Sequence, residues 1–166
     1  MYLYYTSGLD KKVLSFFVHY IEKNFHFINL RKLFPIHIIK TCLSDNCVFH
    51  SEHKIDDAIK TVVENDDKVL LALKETWLQG QNCCELLLDG NAVILLLAEI
   101  KSIDELVWKL VHSIGHLYGL SHCRNLTCAM NNPIYPDLDI SQNPLCKKCE
   151  DGITLASKKI VVKSPN

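Results

Sequence analysis

Hydrophobic residues in the first quarter of the chain follow strand spacing and then helix spacing. Residues 1–5 form a short apolar and aromatic run, which predicts a first strand. Asp10 can cap the helix that follows, in which apolar residues return every three or four positions. A second strand is expected in residues 25–30 or in residues 36–39, two apolar runs on either side of Pro35.

The middle of the chain continues with one helix and three strands. Residues 55–63 carry apolar side chains on one helical face, and residues 69–73 form a continuous apolar run typical of a buried strand. Residues 84–88 and 92–97 lie on either side of the Asp-Gly dipeptide at 89–90, which strongly indicates a tight hairpin. These two segments are therefore predicted to pair as antiparallel strands.

Sequence signals delimit a third helix at both ends. Ser102 and Glu105 have the spacing of a capping box, and residues 106–117 provide a broad apolar face. Gly119 can end this helix in a left-handed turn. Beyond this helix, asparagine and proline residues are frequent between 131 and 144, which predicts an irregular segment. Such a segment cannot pack a large hydrophobic core of its own.

Composition narrows the classes of protein that the chain can represent. Its 166 residues, 48% hydrophobic and 22% charged, suffice for the packed core of about one domain. With 18 basic against 19 acidic residues the formal charge is -1, so no overall field attracts nucleic acid or an anionic membrane. No apolar run approaches the roughly 20 residues that span a bilayer. Residues 1–5 lack the basic start of a secretory signal, which favours a cytoplasmic location.

The third helix carries the first group of candidate metal ligands. His112 and His116 are four residues apart, so both imidazoles project from one helical face, one turn apart. A left-handed turn at Gly119 lets His122 approach them and offer a third nitrogen. Three imidazoles leave one position of a tetrahedral ion open, which favours zinc, although cobalt or nickel would also fit.

Four cysteines form the second group of candidate ligands. Cys123 and Cys128 are one chelating pair, and Cys146 and Cys149 are another, on either side of the stretch rich in asparagine and proline. Four thiolates suit a closed structural zinc site, and the ion would supply the crosslink that apolar residues there cannot. Buried free thiols or a redox-active C-x-x-C pair are the alternatives.

These residues resemble the archaemetzincins, zinc peptidases of the metzincin clan. The matching motifs are H-S-I-G-H-L-Y-G-L-S-H-C at 112–123, C-A-M at 128–130 and C-K-K-C at 146–149. The resemblance implies a catalytic-type zinc on the histidines, a structural zinc on the cysteines, and a turn formed by Met130 beneath the first ion. It also implies that residues 84–88 line the edge of a cleft and that the substrates are peptides.

One position departs from the family motif, H-E-x-x-H, in which the glutamate is the general base that activates the attacking water. Ser113 takes the place of that glutamate. A serine hydroxyl cannot accept a proton near neutral pH, so the reaction loses a contribution of about 10² to 10⁴ in rate. Glu105 lies on the same helical stripe as His112 but two turns before it, and it is interpreted as a capping residue. Hydrolysis is therefore expected to be slow or absent, and the sequence leaves open whether any activity remains.

Other interpretations depend on fewer residues. A zinc-ribbon nucleic-acid binder would use the basic residues near the cysteines, but no aromatic residues for base stacking lie among them. Residues in the first half of the chain could form a third metal site and a redox-active pair, although buried, packed thiols are the simpler interpretation. The residues concerned are Cys42 and Cys47 with His50 and His53, and the adjacent Cys83 and Cys84. Trp77 and Trp108 are expected to anchor the core.

The sequence as a whole predicts an α/β (α+β) fold: a compact metzincin-like zincin domain with a small mixed twisted sheet, an active-site helix and a zinc-stapled C-terminal subdomain. Residues 1–150 are predicted to form this single domain, with an upper part at 1–119 and a lower part at 120–150, followed by a loose tail at 151–166. The predicted function is an archaemetzincin-like zinc metallopeptidase with two zinc ions per chain, weak or inactive because of Ser113. The alternative is a non-catalytic zinc protein that binds peptides or a protein partner through the cleft. We expect a monomer that binds neither nucleic acid nor membranes.

Overall fold

The structure is a computed structural model that describes residues 1–6, 9–28, 30, 32–36, 68–73, 85–88, 91–97, 100–131 and 143–162. The described strands are β1 (Tyr2–Thr6), β2 (Lys32–Ile36), β3 (Val69–Leu73), β4 (Glu85–Leu88) and β5 (Ala92–Leu96), and the described helices are α1 (Lys11–Asn24), α2 (Ile103–Leu117) and α3 (Lys147–Val162). None of these helices is both long enough and apolar enough to span a membrane. Several sequence predictions lie outside the described residues: the helix at 55–63, the dipeptide at 89–90, Trp77, and the first-half groups Cys42, Cys47, His50, His53, Cys83 and Cys84.

The described strands form one mixed sheet in the order β2-β1-β3-β5-β4. β1 pairs in parallel with β2 and with β3, and β3 pairs in parallel with β5. β4 pairs antiparallel with β5, and Leu87 lies opposite Val93. The small mixed sheet and the antiparallel pair on either side of 89–90 are therefore confirmed. β4 lies at one edge of this sheet.

The second strand, β2, begins at Lys32, before the later of the two runs in which it was expected, and overlaps that run at Ile36. β2 contains Pro35 and, as described, ends at Ile36, and residues 37–39 of the run at 36–39 lie outside the described residues. Residues 25–28 form turns after α1. Proline has no backbone N–H to donate, but an edge strand tolerates it. β2 occupies such an edge, because in the described sheet it pairs with β1 alone.

The core lies where α1 and α2 pack with the sheet. α1 begins at its predicted cap, since the side chain of Asp10 accepts a hydrogen bond of 2.7 Å from the N–H of Lys12. Phe17 and Ile21, four residues apart on this helix, are fully buried. The strands contribute a matching set of buried residues: Leu3, Val69, Leu70, Ala72, Ala92, Val93 and Leu95.

α2 packs against β5 and also contacts β3 and β4. At its start, the hydroxyl of Ser102 accepts from the N–H of Glu105 at 3.1 Å, and the Glu105 carboxylate accepts from the N–H of Lys101 at 2.9 Å. At its end, Gly119 has a φ of 82°, and the next N–H bonds back to the carbonyl of Gly115 at 2.9 Å. This is a Schellman motif, which only a residue that tolerates positive φ can complete. Both predicted helix ends are confirmed.

The segment after Gly152 is helical, so the prediction of a loose tail is wrong for the described residues. α3 spans Lys147–Val162 and crosses the predicted boundary at 150. Cys149, Ile153 and Ser157 recur every four residues and are all buried. A buried stripe of this kind holds a helix against the core even when few of its residues are strongly apolar. The division of the chain into a single domain at 1–150 and a tail stays a prediction.

Candidate metal centre

Helix α2 brings two imidazoles together near its C-terminal end. His112 is buried and His116 is half-buried, and their Nε2 atoms are 3.0 Å apart. Beyond the turn at Gly119, the exposed His122 returns toward them, and its Nε2 atom lies 3.1 Å from that of His116. The structure therefore places together the three histidines that the spacing of the motif predicted.

Backbone carbonyls determine which nitrogen of each helical imidazole is available. Nδ1 of His112 donates to the carbonyl oxygen of Ala129 at 2.7 Å, and Nδ1 of His116 donates to that of Leu120 at 2.9 Å. A carbonyl oxygen can only accept, so both Nδ1 atoms carry the proton and both Nε2 atoms present lone pairs. Two such lone pairs 3.0 Å apart repel each other, and a cation bound between them would remove that repulsion.

Burial disfavours protonation of the two helical imidazoles as the source of that cation. Burial lowers the pKa of His112 from 6.5 to about 4, despite the hydrogen bond to Ala129. Burial also lowers the pKa of His116. A tetrahedral zinc ion with bonds of about 2.0–2.1 Å keeps its nitrogen ligands about 3.3 Å apart. The observed separations of 3.0 and 3.1 Å are close to this value, so the donor set fits zinc with a fourth position left open.

A turn that carries Met130 packs against α2 beside the histidines. The N–H of Asn131 bonds to the carbonyl of Cys128 at 2.8 Å, which closes the turn, and the side chain of Met130 is fully buried. It contacts Gly115, the residue before His116, where an added Cβ would lie 3.0 Å from the methionine Cε and closer still to its Sδ. The glycine therefore permits the close approach of the methionine turn that the family resemblance implies.

The four cysteines also come together. Their Sγ atoms all lie within 4.8 Å of one another, and those of Cys123 and Cys146 are 3.7 Å apart. A tetrahedral zinc ion with Zn–S bonds of about 2.3 Å keeps its sulfur ligands about 3.8 Å apart. All four are free thiols, of which Cys128 and Cys149 are buried. The group therefore has the composition and spacing of a closed structural zinc site.

The thiols differ in how readily they lose a proton. Burial raises the pKa of Cys128 and of Cys149, and hydrogen bonds with the neighbouring thiols raise that of Cys149 further. For Cys146, burial acts in the same direction, but the N–H of Cys149 and hydrogen bonds with the other thiols outweigh it and lower the pKa. Thiolates collected at this density need a neutralising cation, and a coordinated divalent ion deprotonates its thiol ligands.

Ser113, the residue after His112, is fully buried. Its hydroxyl makes no hydrogen bond within the part of the chain that the structure describes. Glu105 is held two turns away by an ion pair of 2.8 Å with Lys109, and hydrogen bonds from Lys109 and Lys101 lower its pKa although burial acts to raise it. This carboxylate therefore caps the helix start, as predicted, and it also pairs with Lys109. Within the described ranges, the two groups able to hold a metal contain no carboxylate.

Trp108 is a part of the site whose role the sequence did not reveal. Its ring stacks on that of His112, with centroids 4.8 Å apart and planes at 25°. The spacing of four residues on one helix was the available signal, because it places both side chains on one face. The roles of Ala129 and Leu120 had no such signal, since the position of a backbone acceptor depends on the fold.

Comparisons with known proteins point to the same class. Residues 95–154 match the model of a family described as peptidase family M54. An archaemetzincin of Saccharolobus solfataricus is 28% identical over 106 residues, which cover 56% of this chain and 58% of the relative. An archaemetzincin of Natronomonas pharaonis is 38% identical over 51 residues, or 30% of each chain. The chain thus spans less than two thirds of the length of these curated relatives.

Solved structures share the fold over nearly the whole chain. An archaemetzincin from Methanopyrus kandleri superposes with a TM-score of 0.62 at 15% identity, covering 95% of this chain and 96% of its own. A zinc-dependent peptidase from Methanocorpusculum labreanum has a TM-score of 0.62 at 18% identity, with coverages of 92% and 98%. At such identities these structures establish the fold alone. The sequence match over 95–154 together with this fold confirms the resemblance to the archaemetzincins.

Proposed function

We propose that the chain is an archaemetzincin-like protein that binds two zinc ions and peptides, and that it hydrolyses peptides slowly or not at all. The histidine group carries this proposal, because Nε2 of His116 lies 3.0 and 3.1 Å from those of His112 and His122. Protons held on Nδ1 of His112 and His116 leave lone pairs facing one another. The match to family M54 over 95–154, which contains all seven proposed ligands, supports the same assignment.

The three histidines would hold one zinc ion, and Cys123, Cys128, Cys146 and Cys149 would hold the other. When bound by the three imidazoles, zinc would supply a Lewis acid able to polarise a peptide carbonyl and to lower the pKa of water. The chain itself keeps the ligands oriented, because the carbonyls of Ala129 and Leu120 accept the Nδ1 protons and make the imidazoles better donors to a metal. Stacking of Trp108 on His112 restricts rotation of that ring.

The proposed loss of activity follows from position 113. The Ser113 hydroxyl keeps its proton near neutral pH, so it cannot serve as the base for an attacking water. A positioned general base contributes about 10² to 10⁴ in rate, or about 3 to 5 kcal/mol of barrier. Glu105 is engaged with Lys109, and neither group of candidate ligands in the described residues includes a carboxylate that could substitute.

A non-catalytic peptide-binding protein is the second candidate, and Ser113 is the observation that favours it. In the described sheet, β4 has one partner strand, β5, so an extended peptide could add to its other edge through main-chain hydrogen bonds. The proposed ligand in either case is a peptide or a segment of a partner protein. We also propose that the chain is a cytoplasmic monomer that binds neither nucleic acid nor membranes.

Ser113→Glu is the variant that tests the missing base, and Ser113→Gln is its matched control, because glutamine has nearly the same shape but cannot accept the proton. We expect Ser113→Glu to raise zinc-dependent peptide hydrolysis by about 10² to 10⁴ over the native chain, and Ser113→Gln to leave it unchanged. Adding His116→Ala to Ser113→Glu should abolish the gain. This second control excludes contaminating proteases as the source of the activity.

Zinc content and peptide binding are measured on the same preparations. A Ser113→Glu variant that keeps its zinc and binds peptides without hydrolysing them would favour the non-catalytic function. A native chain that already hydrolyses peptides as fast as Ser113→Glu would contradict the proposal, because a base other than residue 113 would then be present.

A further inference from the structure

The two groups of candidate ligands share one stretch of chain, residues 122–131, which we call the bridging segment. It begins with His122 of the histidine group, continues with Cys123 of the cysteine group, and also contains Cys128. The segment has no helix or strand, and the side chains at 124–127 are exposed. The position of the bridging segment therefore depends on its hydrogen bonds, on the packing of Met130 and on any metal ion that the candidate ligands bind.

Ala129 links the cysteine group to His112. Its carbonyl accepts from Nδ1 of His112 at 2.7 Å, and its N–H donates to the carbonyl of Pro144 at 2.7 Å. Two residues after Pro144, the N–H of Cys146 donates to the Sγ of Cys128 at 3.4 Å. The acceptor for His112 is thus positioned by the same two chain segments that the cysteine group joins.

Further hydrogen bonds close the bridging segment on itself. The N–H of Cys123 donates to the carbonyl of Met130 at 2.7 Å, and the side-chain amide of Asn131 donates to the carbonyl of Cys123 at 2.8 Å. Because Cys123 directly follows His122, a shift of the cysteine backbone also moves the backbone that presents this histidine. Two of the three histidines therefore depend on where the cysteine group holds the bridging segment.

His116 provides an internal reference, because its support lies elsewhere. Its Nδ1 donates to the carbonyl of Leu120 at 2.9 Å, across the turn at Gly119 that ends α2. Neither partner belongs to the bridging segment. Emptying the cysteine group should consequently disturb the hydrogen bond of His112 and the position of His122, while the hydrogen bond of His116 to Leu120 persists.

We propose that the two groups bind metal cooperatively: a divalent ion on the cysteines fixes the bridging segment, which orients His112 and His122 and strengthens metal binding by the histidines. The inference rests on the proposed function, which assigns one zinc ion to each group. Partners that orient a metal-binding histidine contribute about 10- to 100-fold in affinity. We therefore expect an empty cysteine group to weaken the histidine group by this factor, and the coupling is reciprocal by thermodynamic linkage.

The double variant Cys146→Ser/Cys149→Ser tests the coupling, because it removes one chelating pair and leaves the bridging segment unchanged. Cys42→Ser, at a cysteine outside the group, is the control for the substitution itself. The wild type and Cys42→Ser first receive one equivalent of Zn²⁺ to fill the cysteine group, whereas the double variant, which lacks that site, receives none. Co²⁺ is then titrated onto the histidines of all three proteins against a competing chelator. We expect the visible absorption of Co²⁺ to show binding about 10- to 100-fold weaker in the double variant than in the wild type and in Cys42→Ser. Equal affinity in all three proteins would overturn the inference.

Imidazole N–H resonances separate this coupling from general unfolding. The metal-loaded wild type should show protected Nδ1–H signals for both His112 and His116. In the metal-free double variant we expect the His112 signal to be lost by exchange and the His116 signal to remain. Loss of both signals would contradict the inference, since the cysteine group would then be required for the end of α2 itself. Retention of both would contradict it as well.

Metal stoichiometry distinguishes failure of this inference from failure of the proposed function. A wild-type chain that binds two ions, with the same histidine affinity as the double variant, refutes the coupling alone. A wild-type chain that binds one ion or none refutes the proposed assignment of zinc, and the coupling with it.

Discussion

Gly115→Ala tests whether the packing of Met130 on α2 supports the metal centre. The new Cβ would lie 3.0 Å from the Cε of Met130 and 3.4 Å from its Cγ, and closer still to its Sδ. The methionine is fully buried, so its side chain cannot move aside into solvent. The substitution therefore forces the helix and the methionine turn apart, or the methionine into a poorer rotamer.

Two opposing effects determine the size of the change. Replacing glycine with alanine inside a helix stabilises it by about 1 kcal/mol. Overpacking a filled core costs about 1 to 3 kcal/mol. Gly115→Ala alone should therefore lower the free energy of unfolding by about 0 to 2 kcal/mol. Met130→Ala removes the atoms that clash, so in that background the sign should reverse and Gly115→Ala should stabilise by about 1 kcal/mol.

Urea unfolding of the four proteins in this double-mutant cycle measures the effect. Met130→Ala alone should cost about 2 to 5 kcal/mol, as expected for truncation of a buried side chain. The cycle should then give a coupling energy of about 1 to 3 kcal/mol between the two positions. An effect of Gly115→Ala that is the same with and without the methionine side chain would show that the two residues do not pack against each other.

Three further substitutions or conditions test separate parts of the structure. Gly119→Ala should destabilise by about 1 to 2 kcal/mol in urea unfolding, because φ there is 82° and, in the described part of the chain, no atom beyond the neighbouring residues lies within 4 Å of an added Cβ to offset the strain. No change in stability would show that the turn adapts freely. Ser102→Ala should cost about 1 kcal/mol by loss of the helix cap, and Ser102→Asp should restore it; equal stabilities of Ser102→Ala and wild type would argue against the cap. The metal-free chain should lose up to about 2 to 3 kcal/mol of stability as pH falls from about 6.5 to about 4, because burial lowers the pKa of His112 and the unfolded state takes up the proton first. His112→Phe should remove that part of the pH dependence, and an unchanged profile would contradict the assignment.

Helix α2 and the ligand set could be predicted from the sequence because their determinants are local. The cap at Ser102, the pair His112 and His116 four residues apart, and the turn at Gly119 all lie within one short segment, where helical periodicity relates spacing to position. The cysteine group could be predicted from two chelating pairs, because a short spacing in sequence keeps both members of a pair close together in space. Local motifs were therefore enough to predict which residues form each group of ligands.

Features that depend on tertiary context could not be predicted in the same way. Pro35 lies inside β2 because that strand is at an edge of the described sheet, and edge position is a property of the topology. α3 is stable because Cys149, Ile153 and Ser157 meet the core, although its sequence has a weak apolar pattern. The carbonyl of Ala129 reaches His112 across 17 positions of sequence, and only the folded chain shows that contact.

Zinc content per chain tests the central claim most directly. Elemental analysis of purified wild-type protein, after removal of loosely bound metal, should give two zinc ions per chain, because the three histidines and four cysteines form two separate groups of ligands. His116→Ala should reduce the value to one, since it removes the imidazole whose Nε2 lies 3.0 and 3.1 Å from the other two. One ion or none in the wild type, or two ions retained in His116→Ala, would contradict the account.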